Sequence, residues 1–170
     1  MDRKSRAAGG RIRPKAGQES VWDYPRPPRL EASNKRIRVE LGGTIIADTR
    51  RALRMLETSH PPVYYIPPED VCMDCLQTEA GSSFCEWKGQ ARYFSVVVGK
   101  AKVQQAAWAY PRPVPAYAQI KDHVAFYAEK MDVCTVDGEP VRPQEGSFYG
   151  GWITKDIIGP FKGGPGSWGW

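Results

Sequence analysis

Fifteen prolines and seventeen glycines divide this 170-residue chain into short segments. Both residue types exceed average usage, and both interrupt helices: proline removes a backbone donor, and glycine loses more entropy on ordering than any other residue. The expected fold is therefore mainly β, a compact small domain of short antiparallel strands with one or two short helices. Hydrophobic residues make up 41% of the chain, with six Trp, eight Tyr and five Phe, enough for a real core. No apolar run approaches the ~18 residues of a membrane-spanning helix, so no membrane association is expected. Met1-Asp2-Arg3-Lys4 leads into no apolar stretch, so no secretory leader is expected either. The four cysteines then read as reduced thiols of a cytoplasmic protein.

Charge is distributed unevenly. Residues 1–36 hold ten Lys or Arg against four Asp or Glu, and residues 37–170 hold fourteen against fifteen. The basic character belongs to the leading segment, and the body is near neutral. Residues 1–19, almost without large apolar side chains, read as a disordered basic tail. Residues 20–147 read as the β-domain, and 148–170 as an aromatic, Gly-rich C-terminal extension packed on it. Nucleic acid is expected to meet this protein only through weak contacts of the tail.

The word Trp22-Asp23-Tyr24-Pro25-Arg26-Pro27 recurs as Trp108-Ala109-Tyr110-Pro111-Arg112-Pro113. The prolines favour extended backbone, so the two words read as equivalent straps anchored by their aromatic side chains. Ile37 to Leu41 and Thr44 to Asp48 flank Gly42-Gly43 and read as a β-hairpin. Asp48-Thr49 offers an N-cap for a short helix over 50–58, with Leu53, Leu56 and Glu57 on one face. Val63 to Ile66 reads as a strand, and 69–80 as a loop or short helix. Ala91 to Val98 reads as a strand returning through Ala101 to Tyr110. Val124 to Tyr127 and Val133 to Val136 read as a further strand pair, with a turn at Asp137-Gly138. The extension from Phe148 carries three of the six Trp residues, and its loop 159–167 would let Trp168 and Trp170 dock. That loop lacks the Gly-Lys-Ser/Thr of a phosphate-binding loop.

Several words have a familiar order and spacing: Ile46-Ala47-Asp48, Glu57, Pro62-Val63-Tyr64-Tyr65-Ile66-Pro67, Glu69-Asp70-Val71, Cys85-Glu86-Trp87-Lys88-Gly89-Gln90-Ala91 and Ala107-Trp108-Ala109-Tyr110-Pro111. Over roughly residues 22–145 the chain resembles the domain-of-unknown-function family number 427, which is widespread in bacteria. The resemblance implies a small β-tent-like domain without an established activity. It also places Glu57, Asp70, Cys85 and Lys88 at fixed stations. A nucleotidyltransferase label attaches to the family. This sequence, however, lacks the Gly-Ser word followed by an Asp-x-Asp metal pair that such transferases usually show.

The stretch from Glu57 to Lys88 is richest in chemistry. The candidate catalytic residues are Glu57, Asp70, Cys85 and Lys88. Lys88 would bind an anionic group, Glu57 or Asp70 would act as base, and Cys85 beside a lysine could be a nucleophile. His60, Tyr64, Trp87, Trp108 and Tyr110 are the candidate ligand-binding residues, aromatic walls suiting a flat molecule. The competing arrangement has Lys88 in a closed salt bridge with Glu57 or Asp70 while Cys85 merely packs. His123 is a lone histidine and reads as structural. Cys72-Met73-Asp74-Cys75 could be half of a zinc site completed by Cys85 and Cys134, but the second half lacks the matching spacing. No cofactor and no metal are expected. The favoured reading is a small-molecule-binding domain, and an enzyme is left open. The alternatives are a protein-interaction module using the two straps, with a homodimer open, and nucleotidyl transfer as the family label suggests.

Overall fold

The computed structural model describes residues 11–85, 87–146 and 148–170. Residues 1–10 of the basic segment lie outside the described residues. The first strand, β1 (Glu19–Ser20), leads into a 3-10 turn at Val21–Asp23 and then β2 (Arg29–Ala32). The expected hairpin is formed by β3 (Ile37–Leu41) and β4 (Thr44–Thr49). Its glycines, Gly42 and Gly43, have φ of 58° and 76°, the left-handed conformation that both central residues of such a turn need. Next come β5 (Leu53–Leu56) and β6 (Val63–Tyr65), then 3-10 turns at Pro68–Asp70 and Met73–Cys75. A long meander follows: β7 (Leu76–Cys85), β8 (Gly89–Val98) and β9 (Ala101–Pro113). The chain ends through β10 (Val124–Phe126), β11 (Val133–Val136), β12 (Glu139–Pro140), β13 (Arg142–Pro143), β14 (Trp152–Ile153) and β15 (Ile157–Ile158).

These strands make a mainly β, multi-sheet domain. One four-stranded sheet has the order β10-β9-β8-β7, a second has β12-β11-β3-β4, and a three-stranded sheet has β2-β5-β6. The main core lies among them. Ile37, Val39 and Leu41 alternate inward from β3 to meet Ile46, Val96, Phe126 and the indole of Trp152. Trp152 is 1% exposed, and its indole N–H donates to the Phe126 carbonyl at 3.0 Å, so its only polar atom is satisfied inside the core. A second, aromatic cluster joins Met55 and Tyr65 to Trp108, Tyr110 and Tyr127. Paired hydrogen bonds between Ile66 and Val124, at 2.8 and 2.9 Å, stitch the three-stranded sheet to the meander sheet.

Several local expectations are corrected. Residues 50–58 are not a helix, because β5 occupies their centre, paired on both sides by β2 and β6. The i, i+3, i+4 spacing of apolar residues was compatible with a helix, but a strand buried on both faces carries consecutive buried residues instead. The Thr49 hydroxyl does accept a backbone N–H, that of Arg51, which bends the chain without starting a helix. The segment 69–80 is likewise not a loop alone, since β7 begins at Leu76. Its mostly exposed residues show no clean alternation, and a register shift between Thr78 and Ser82 breaks the pattern further.

Val124 to Tyr127 and Val133 to Val136 do not pair with each other. β10 joins β9 and β11 joins β3, because a 3-10 turn at Ala128–Lys130 redirects the chain between sheets. The two Trp-x-Tyr-Pro-Arg-Pro words are not equivalent straps either. The first enters through the 3-10 turn capped by Ser20, and the second runs along β9. What they share is burial of Trp22, Tyr24, Trp108 and Tyr110. In the C-terminal stretch, β15 runs parallel to β1, and Trp170 meets Trp22 edge-on at 5.3 Å between centroids. Trp168 does not dock; it is 93% exposed.

Candidate functional site

The meander sheet has period-two side-chain alternation, and one of its faces explains a cavity of about 330 Å³. Ser83 and Cys85 on β7, Ala91 and Tyr93 on β8, and Trp108 and Tyr110 on β9 all line it. Ala91 and Ser83 are the small residues of this set, beside the larger Tyr93, Trp108 and Tyr110. Met55, Val63 and Tyr65, from adjacent strands of the three-stranded sheet, form a second wall. The third wall is Gln144, Tyr149, Gly150 and Lys162 from the C-terminal stretch. Gly150 is required there, since a Cβ would overlap the Trp108 indole. Gln144 is buried and engaged at both ends: it donates to the Lys162 carbonyl at 2.7 Å and accepts from Gly151 N–H at 3.2 Å.

Of the predicted site residues, Glu57, His60, Cys85, Trp87, Lys88, Trp108 and Tyr110 line this one cavity. Asp70 and Tyr64 do not. Asp70 is held on β4's side by a two-point hydrogen bond from Arg51, at 3.0 and 3.2 Å, and by the Thr49 hydroxyl at 2.7 Å. Those donors hold its carboxyl below the ordinary range. Tyr64 and Tyr65 point to opposite faces of β6. Tyr64 packs on Trp152 in the main core, 5.4 Å between centroids, and Tyr65 is the one that reaches the cavity.

Lys88 follows the turn after β7 and places its ammonium 5.9 Å from the centroid of the Tyr110 ring. Among the described residues no carboxylate lies within salt-bridge distance of it. Burial acts to lower its pKa. The charges that Tyr65, Cys85, Glu57 and Tyr117 carry when ionised act to raise it, and the net direction is upward. Burial pushes the Tyr65 and Tyr110 phenols upward, which keeps them protonated donors.

Glu57 faces Arg26 and the His60 ring, each at 3.7 Å. The Nδ1 of His60 lies 2.9 Å from the Thr58 carbonyl, which can only accept, so Nδ1 carries the proton and Nε2 the lone pair. Burial lowers the His60 pKa against the opposing pull of Glu57 and that carbonyl, so the ring is neutral at pH 7. Its face meets Tyr149 edge-on at 5.4 Å.

Sequence reading missed Tyr65, Tyr93, Tyr149, Lys162 and Gly150. The alternation in Val63-Tyr64-Tyr65 shows that one tyrosine faces each way, but only strand register says which. The third wall depends on a long return of the chain and carries no local signal. The Lys162 ammonium donates to the Trp170 main-chain oxygen at 2.7 Å, so it is already engaged.

The cysteines do not assemble. Cys72 and Cys75 face one another, Cys134 is buried in the main core, and Cys85 lies at the cavity. Among the described residues no three His, Cys, Asp or Glu side chains come together as a metal site. No helix among them is long and apolar enough to cross a membrane.

A family model described as a domain of unknown function, DUF427, and carrying a nucleotidyltransferase label, matches residues 29–137. The chain belongs to the DUF427 family. Curated proteins offer no match. In this DUF427 domain the floor and second wall of the cavity fall inside the matched segment. The third wall, from Gln144 to Lys162, falls outside it.

Proposed function

We propose that this DUF427 domain binds a small, flat, anionic molecule in the aromatic cavity. The observation that carries the reading is Lys88: a cation facing an aromatic ring in a cavity, with no carboxylate within salt-bridge distance among the described residues. Holding a half-buried charge without a partner is costly, and an anionic ligand would relieve that cost. Trp87, Trp108, Tyr65 and Tyr110 would grip the flat body of the ligand, and their phenols would donate to its polar edge. If the ligand is turned over, neutral His60 and the adjoining Glu57 are the groups that would move a proton, with Cys85 within the same cavity as a nucleophile.

The test is thermal unfolding of wild type and Lys88→Met against a panel of aromatic sulfonates, aromatic carboxylates and nucleoside triphosphates. Anionic aromatics should raise the wild-type melting temperature and leave the folded variant unmoved. If only the triphosphates do so, the nucleotidyl reading of the family label gains. If no compound acts, or the variant responds as the wild type does, the reading fails. The interaction-module alternative keeps exposed Trp168, but its straps have buried their aromatic anchors.

A further inference from the structure

The sequence contains one word that the cavity does not use, Cys72-Met73-Asp74-Cys75. It spans the 3-10 turn that delivers the chain into β7, with Cys72 at the N-cap and Cys75 as the last residue of the turn. A 3-10 turn has three residues per turn, so side chains at i and i+3 eclipse one another. Across the turn from the N-cap, the two sulfurs stand 2.8 Å apart. Neither cysteine is enclosed: both are partly exposed and flank exposed Met73 and Asp74.

The backbone on both sides is pinned. The Cys72 N–H donates to the Ile46 carbonyl at 2.7 Å, the Cys75 N–H donates to the Cys72 carbonyl at 3.0 Å, and neighbouring Val71 bridges Ala47. Cys75 also rests against the main core. The backbone that carries both sulfurs is thus fixed by the fold. No third ligand joins them among the described residues, which favours covalent chemistry over metal capture.

We propose that Cys72 and Cys75 are a redox-active pair that closes into an intrachain disulfide by exchange with a low-molecular-weight disulfide such as oxidised glutathione. Cys75 rests against the main core, and its contact with Cys72, then burial, push its thiol up to about 11, so Cys72 is assigned as the attacking sulfur. The Cys72 thiolate attacks one sulfur of glutathione disulfide, forms a mixed disulfide, and releases one glutathione thiolate. Cys75 then loses its proton and attacks the Cys72 sulfur, releasing the second glutathione. Two protein thiols are oxidised and one small disulfide is reduced to two thiols, so electrons and protons balance. This site is separate from the cavity and does not depend on the ligand reading.

The experiment equilibrates the full reduced chain with oxidised glutathione, quenches with a maleimide, and reads the Cys72–Cys75 peptide by mass. The expected result is loss of maleimide uptake at both positions and a mass lower by two hydrogens, with no glutathione attached. Cys75→Ser should retain on Cys72 the glutathione adduct that the wild type resolves, and Cys72→Ser should take up little glutathione. A wild-type peptide carrying two maleimides, or a stable glutathione adduct, overturns the proposal.

Discussion

Asp70 and Lys88 lie in the same chemistry-rich stretch and would be paired by a simple charge argument, yet the fold treats them oppositely. Asp70 sits in a closed set, with both carboxylate oxygens used by Arg51 and Thr49. Lys88 lines an open cavity and faces the Tyr110 ring, with no carboxylate at salt-bridge distance among the described residues. A third ion cluster extends the closed case: Arg54, with a side chain only 9% exposed, bonds Glu19 at 2.9 and 3.1 Å and Glu31 at 2.9 Å. A charge whose hydrogen bonds are complete is part of the scaffold. A charge left incomplete at a cavity is where a ligand would complete it.

That contrast predicts different stability costs for different charges. Arg54→Met should cost the most, about 2 kcal/mol, because it strands Glu19 and Glu31, whose half-exposed side chains recover part of the loss from water. Denaturant unfolding measures this, and a neutral variant would remove Arg54 from the closed class. Asp70→Asn should cost about 1 kcal/mol or less, since Arg51 is a surface partner, and should leave anionic-probe binding unchanged. Lys88→Met should be neutral or slightly stabilising while abolishing the probe response. A clear destabilisation would mean that Lys88 has structural partners after all.

The smallest effect concerns acid. The His60 pKa is lowered in the folded state from an ordinary value of 6.5, so the unfolded chain binds the proton first. Its contribution is therefore complete above pH 6.5 and declines as pH falls below that value toward the folded pKa. His60→Gln should flatten this part of the stability profile. An unchanged profile would show that the burial of His60 carries no protonation cost.

Much of the framework was legible in the sequence, and for local reasons. The β3–β4 hairpin follows from Gly42-Gly43 between alternating residues, and the β8–β9 return from a Val-rich run ending at Gly99. What failed depended on partners distant in sequence. Leu53 to Leu56 has a helix-compatible spacing, and only the flanking strands decide it. Tyr64 and Tyr65 are equivalent until register assigns their faces. Most of the candidate site could be named because Cys85, Trp87 and Lys88 fall together at the turn between β7 and β8. Its third wall could not, because Gly150 and Lys162 reach Trp108 and the His60 turn only through tertiary packing.

Lys88 is proposed as the anion-binding charge of the aromatic cavity. A crystal structure of the full chain with naphthalene sulfonate tests it most directly. The account predicts the ring between Trp87, Trp108 and Tyr110, with a sulfonate oxygen at hydrogen-bond distance from Lys88 Nζ. A sulfonate turned to solvent, or a ring bound elsewhere with the cavity unchanged, would contradict it.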